Sequence, residues 1–180
     1  MQKSIYEKGE RTMFKVNDFV VKMKYGVFQI VGEEVKQFTP GAPKEKYFLL
    51  KSIDGKLTAY QPVESADELL RPVMTKDEAK EFISDLSREH YVWNNDDKTR
   101  VIDIKKRTDA TPSVEVLGLA VGGYYKRLAE GKSISRSDKA YLESIEAKLF
   151  PVLGFSLGCE NDEVREKFYE AFKVEREDQA

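Results

Sequence analysis

The histidine and cysteine content narrows the chemistry open to this chain first. There is one of each, His90 and Cys159. A single cysteine makes no intrachain disulfide and no thiolate zinc site, and a single histidine makes no multi-histidine centre. No nucleophile–base pair is evident, so an enzyme would have to work with carboxylates alone. No cofactor or metal is implied. His90 falls at the end of a predicted helix, where partial positive charge suits the dipole. Cys159 beside Gly158 reads as a small packed residue at a helix end.

The cationic side chains are more informative. Residues 98–139 hold ten basic groups, including Lys98, Arg100, Lys105, Lys106 and Arg107, against five acidic ones, a net of +5. Residues 1–72 carry +2 and residues 159–180 carry −4. Over the whole chain 30 Lys and Arg oppose 32 Asp and Glu, which excludes a uniformly basic protein wrapped in nucleic acid. A basic middle with an acidic tail fits a phosphate-facing surface on one side. A solvated, mixed-charge helix surface fits it too, and charge alone leaves both open. The only tryptophan, Trp93, precedes Asn94-Asn95-Asp96-Asp97, a polar turn by composition. It is either a core residue or an aromatic group held near the surface.

The elements that must position these residues change character near residue 74. With 180 residues, 41% hydrophobic and 34% charged, the chain is expected to form one ordinary domain or two small ones. No stretch approaches the roughly 18 apolar residues of a membrane span. Met1 to Lys8 is charged and lacks a signal-peptide core. A cytoplasmic location is expected. From Val16 to Val73 the pattern is β. Val27 to Val31 follows a Tyr25-Gly26 turn. Tyr47 to Leu50 and Leu57 to Tyr60 flank Asp54-Gly55, a hairpin signal because glycine tolerates positive φ. Thr39 to Pro43 is a loop by composition, and Pro62 ends a strand. Four or five short strands in about sixty residues predict a small, strongly bent barrel.

From Thr75 the period becomes helical. Thr75-Lys76-Asp77-Glu78 is a capping box, followed by Ala79, Phe82, Ile83 and Leu86 on one stripe, so a helix is predicted to Arg88. A second helix is predicted from Thr111-Pro112, with proline at the first helical position, to Glu130, closed by Gly131. Within it Gly118, Gly122 and Gly123 either permit close packing or break the helix. A third opens at Ser135 to Asp138, and Pro151 is expected to kink or end it. Asn161 is expected to cap a last helix, and Glu175 to Ala180 to fray.

Specific residues now meet a known pattern. Phe14-Lys15-Val16-Asn17-Asp18-Phe19-Val20-Val21, then Tyr25-Gly26-Val27, resembles the opening of the CarD family. Tyr47 to Lys51, Pro62-Val63-Glu64 and Leu70-Arg71-Pro72-Val73 continue the resemblance. Trp93 stands after the first helix, where the family has its own tryptophan. Ile134 to Lys139, with Leu142 behind, resembles the entry to the family's long helix. The match spans roughly residues 13 to 172.

The resemblance implies an α+β chain of two modules, an N-terminal small Tudor/SH3-like β barrel and a C-terminal all-α helical domain of four or five helices. The divisions would be an N-terminal extension (1–12), an RNA polymerase-interacting β module (13–74), a helical DNA-contacting domain (75–174) and a tail (175–180). The β module also occurs in the transcription-repair coupling factor. The resemblance implies no enzymatic activity. It implies a bacterial transcription regulator whose partners are the RNA polymerase β subunit and promoter DNA at the upstream edge of the bubble. Lys36 and Tyr60 fall at its two polymerase-contacting positions, with Ala59 and Gln61 beside Tyr60 in a strand that could pair with one of the partner's. Trp93 falls at the wedge position, where an indole takes over the stacking of an opened base step. Asn95 and Asp96 stand where arginines are usual. Lys98 matches a basic position, and Arg100, Lys105, Lys106 and Arg107 could supply the missing charge. The alternative is a protein-interaction adaptor that uses the same β module without binding DNA.

Overall fold

In the computed structural model, which describes residues 12–173, the first unit is built on turns that the sequence dictates locally. Asn17 adopts a positive φ of 79° and Asp18 accepts from the Lys15 amide (2.9 Å), closing the turn into β1 (Phe19–Lys22). Gly26, at φ 95°, opens β2 (Gly26–Lys36), which runs antiparallel to β3 (Glu45–Ser52). A bulge between Ile30 and Gly32 bends β2. Gly55, at φ 72°, sits in the hairpin to β4 (Thr58–Pro62), and Ser52 Oγ accepts from the Leu57 amide and donates to Asp54. After a short helix, α1 (Ala66–Leu69), β5 (Arg71–Pro72) pairs with β1. Arg71 donates to the Asp67, Glu68 and Leu70 carbonyls and so closes that helix.

The five strands run in the order β4-β3-β2-β1-β5 and the sheet is open. The closed barrel expected from strand count does not form among the described residues. β5 has two residues, one a proline without an N–H, so it cannot zip against β4. The sheet buries one face around Phe14, Val20, Phe28, Ile30, Phe48 and Leu50, and Ala66 and Leu70 complete that core.

The second unit is helical: α2 (Lys76–Arg88), α3 (Asp97–Ala110), α4 (Val114–Ala129), α5 (Arg136–Leu157) and α6 (Asn161–Phe172). By compactness the described residues divide into two units, 12–22 with Val27–Val73, and Met23–Gly26 with 74–173. The Thr75 capping box forms, with Glu78 accepting from the Thr75 amide (2.7 Å) and Thr75 Oγ1 from the Glu78 amide (3.3 Å). α4 starts two residues later than Pro112 suggests, because Ser113 takes the cap and accepts from the Val116 amide. Glu160, not Asn161, precedes α6 as its cap residue. Pro151 does not end α5, which continues for six residues to Leu157. Leu149, Phe150, Val152 and Leu153 are all buried around it, and that burial outweighs the roughly 3 kcal/mol that an interior proline costs. α3 has no counterpart among the helices that the sequence pattern predicts. The N-terminal extension except Thr12, and residues 174–180, lie outside the described residues. Among those described, no helix is long and apolar enough to cross a membrane.

The glycines of α4 permit close packing; the helix is unbroken. A methyl at Gly118 would overlap Phe82 Cζ, and one at Gly122 would overlap the Tyr91 hydroxyl and lie 2.8 Å from its Cζ. Tyr91 uses that hydroxyl to donate to the Leu86 carbonyl (2.8 Å). Gly122→Ala is therefore expected to cost about 1–2 kcal/mol, overpacking outweighing the gain in helix propensity. A Cβ at Gly123 meets Tyr91 only at 3.4 Å, so Gly123→Ala is expected to be neutral or slightly stabilising. Equal urea midpoints for the two variants would show that the Tyr91 contact does not set the packing.

Candidate functional site

Tyr91 anchors the segment between α2 and α3, and two residues later Trp93 is half-buried. The indole meets the Tyr124 ring edge-on, with centroids 5.7 Å apart. Two guanidiniums lie over it, Arg100 with its Cζ 4.2 Å from the ring centroid and Arg127 at 5.0 Å. Each such contact contributes on the order of 0.5–2 kcal/mol. Trp93 is thus neither a free side chain nor a core residue. Beside it runs a cleft of about 220 Å³ whose walls include Asn95, Asp97, Arg127 and Ser133.

Arg100 is not on the surface. It is 4% exposed, and four hydrogen bonds hold its guanidinium. Nε donates to Asp138 Oδ1 (3.0 Å), Nη1 to the Asn94 carbonyl (2.6 Å), and Nη2 to both Asp97 (2.7 Å) and Asp138. The phosphate contact expected of Arg100 therefore has no free donor fork to make it. Asp138 is fully buried and also closes the capping box of α5, accepting from the Ser135 amide (3.0 Å) and hydroxyl. Tyr124 donates to it at 3.3 Å. Burial alone would raise the Asp138 carboxyl, but hydrogen bonds from Arg100 and Ser135 outweigh it and hold the group below the usual carboxylate range.

Lys98, Lys105, Lys106 and Arg107 are exposed on α3, and none forms an ion pair with a described residue. Lys98 and Lys105, seven residues apart, share a face with Lys106 nearby, and Ile102 lies among them 63% exposed. Arg107, nine residues after Lys98, lies about half a turn away. Asp96 is the N-cap of α3: it accepts from the Thr99 hydroxyl (2.6 Å) and amide (2.7 Å), which keep its carboxyl below its ordinary range. An acid at that position thus has a structural task.

On the first unit, Lys36 and Tyr60 come together. Lys36, the last residue of β2, reaches across β3 to donate to the Tyr60 hydroxyl (2.7 Å) and pairs with Glu34 (2.9 Å). Its Nζ lies 4.2 Å from the Tyr60 ring centroid. The hydrogen bonds to Tyr60 and Glu34 raise the ammonium above the ordinary lysine value. Phe38 and Tyr47 extend the surface, Phe38 edge-on to Tyr47 at 4.9 Å and to Tyr60 at 5.3 Å. Phe38 is 58% exposed. Sequence reading misses Phe38, Tyr47 and Glu34. The alternation of β2 and β3 could have found the last two, which oppose each other in register.

Ala59 and Gln61 point their side chains to the other face. Ala59 packs against the core, and Gln61 is 1% exposed, accepting from Lys22 (3.2 Å) and donating to Ser65 (3.1 Å). Neither side chain joins Tyr60 on the exposed surface. β4 is nonetheless an edge strand. The Val63 amide donates to the Lys46 carbonyl (3.0 Å), so Ala59 and Gln61, in phase with Val63, direct their backbone groups at β3. The backbone groups of Thr58 and Tyr60 point outward.

His90 is exposed beyond α2, and Cys159 is half-buried after α5, its thiol raised by burial. Among the described residues no cluster of three or more His, Cys, Asp or Glu side chains could hold a metal ion. Comparison of the sequence with protein-family models and with curated proteins finds no match.

Proposed function

We propose that the chain is a cytoplasmic, non-enzymatic regulator of transcription of the CarD kind. Its Tudor-like sheet unit binds the β subunit of bacterial RNA polymerase, and its helical unit contacts promoter DNA at the upstream edge of the open bubble. The observation that carries this reading is the half-buried Trp93 at the cleft, with the half-exposed Arg127 guanidinium over its ring. An aromatic face next to cationic groups suits an opened base step flanked by phosphates. Stacking of this kind is worth about 1–3 kcal/mol per base, enough to shift an opening equilibrium several-fold to a hundredfold. On the sheet unit, Lys36, Tyr60 and Phe38 offer a cation and aromatic rings beside the outward backbone groups of β4, a combination suited to adding a partner strand.

The second reading is an adaptor that grips polymerase and binds protein, not DNA, through the helices. Asn95 and Asp96, at positions where arginines are usual, favour it, since neither neutralises phosphate and Asp96 repels it.

Promoter opening by the cognate polymerase, followed with a fluorescent base in the bubble, decides between them. The protein is expected to change the opening or closing rate, and Trp93→Ala to remove most of that change while binding of the sheet unit to the β subunit persists. A protein that binds the β subunit yet leaves both rates unaltered is an adaptor.

A further inference from the structure

Trp93 lies outside the helices, and no backbone ladder orients it. Its indole is set by side chains of α3 and α4. Arg100 is the hub of these contacts. Its Nη1 donates to the carbonyl of Asn94, the residue that follows Trp93, and its guanidinium lies over the indole. Its own place is fixed twice, by Asp97 within α3 and by Asp138 on α5. Tyr124 closes the circuit, edge-on to Trp93 and hydrogen-bonded to the same Asp138. Arg127 differs. It is half-exposed, with one long hydrogen bond to the Ser133 carbonyl (3.4 Å) and no ion pair to a described residue.

We propose that Arg100 is a positioning residue for Trp93, holding the indole in one orientation beside the cleft before any nucleic acid arrives. This rests on Trp93 being the aromatic contact with opened DNA. The guanidinium suits the task because it is planar, always charged, and presents donors in several directions at once. One group thereby stacks on the indole, ties down the chain after it, and locks α3 to α5. A lysine keeps the charge but cannot do all three. A side chain ordered during folding loses no rotamer freedom on binding, so the cost of immobilising Trp93 is met before the DNA contact forms.

The chain has one tryptophan, so its emission reports this site without background. In the wild-type protein, time-resolved anisotropy is expected to show tumbling of the folded unit and almost no fast local motion of the indole. Arg100→Lys, checked for helix content, is expected to add a large fast component, to make the indole several-fold more accessible to acrylamide, and to weaken the effect on promoter opening about tenfold. Binding of the β subunit is expected to stay unchanged. A folded Arg100→Lys protein whose indole stays as immobile and shielded as in wild type overturns the proposal. If the variant does not fold, the wild-type decay still decides, because a dominant fast component there shows that nothing holds the indole. A mobile indole in Arg100→Lys with an unaltered opening effect supports the positioning role and counts instead against the DNA contact of Trp93.

Discussion

Asp138→Ala is expected to destabilise the helical unit by about 3–5 kcal/mol, the range for removing one partner of a buried ion pair. That is a large part of the roughly 5–15 kcal/mol that holds a typical domain together. The carboxylate sits where three elements meet. It takes two donors from Arg100 of α3, one from Tyr124 of α4, and the amide and hydroxyl of Ser135 at the start of α5. Removing it leaves a 4% exposed guanidinium with only Asp97 and one backbone carbonyl, and removes half of the capping box of a 22-residue helix. Urea unfolding followed by Trp93 emission measures this directly, because the indole belongs to the same unit. Replacing both partners with apolar residues, as in Arg100→Met with Asp138→Leu, is expected to cost less than Asp138→Ala alone, since no buried charge is then stranded. A single replacement costing under 1 kcal/mol would mean that water reaches the pair and the network does not hold α3.

The same carboxylate sets an acid limit. Its folded pKa lies below its ordinary value of 3.8 because the donors of Arg100 and Ser135 outweigh the effect of burial. A depressed folded pKa contributes stability that is complete above the unfolded pKa and is lost as pH falls through the folded one. The helical unit is therefore expected to weaken below the ordinary carboxylate range. That weakening should be shallower in Asp138→Asn, which starts less stable and has no proton to gain there.

How much of this is legible in the sequence follows from the range of the interactions. The Thr75–Glu78 box and the Asp54-Gly55 hairpin lie within four residues of themselves, so their sequence signals are complete. α3 carries such a signal only at its start, in the Asp96 cap. Helices are recognised by an apolar stripe, and the two residues α3 buries are Arg100 and Thr108. Their partners, Asp138 and Tyr141, are more than thirty residues away. The segment therefore reads as surface, and Arg100 as one more exposed cation. The sheet shows the converse. Lys36 and Tyr60 are picked out by the resemblance alone, and the structure joins them across β3, but grouping Ala59 and Gln61 with Tyr60 runs against the two-residue period of a strand. The barrel fails for a reason visible only once the strands are measured, since a two-residue β5 offers no edge to close on.

Neutralising the lysines of α3 together, as Lys98→Gln, Lys105→Gln and Lys106→Gln, is expected to have the largest effect on nucleic-acid binding. The three side chains are exposed, form no ion pair with a described residue, and lie on or beside one face, so replacing them leaves the fold nearly untouched. Arg107, half a turn away, is left in place, so the variant tests one face of the helix alone. Each phosphate that is no longer neutralised takes about 0.7–0.9 off the slope of log affinity against log salt, so the triple variant is expected to flatten that slope by about 2–3. Across a fourfold range of salt, wild-type affinity should then change roughly 15- to 60-fold more than that of the variant. The measurement is the affinity of the polymerase-bound protein for fork DNA as a function of salt, with duplex DNA and the free protein in parallel. On the proposed function, tethering to polymerase would raise the local concentration of the helical unit, so weak contacts from a chain of net charge −2 would become significant only in that complex. Flattening only in the complex, with feeble binding by the free protein, is the outcome this arrangement of charge predicts. An unaltered slope would remove α3 from the DNA interface and turn the argument to the adaptor reading, in which Ile102, exposed among those lysines, is the residue to substitute next.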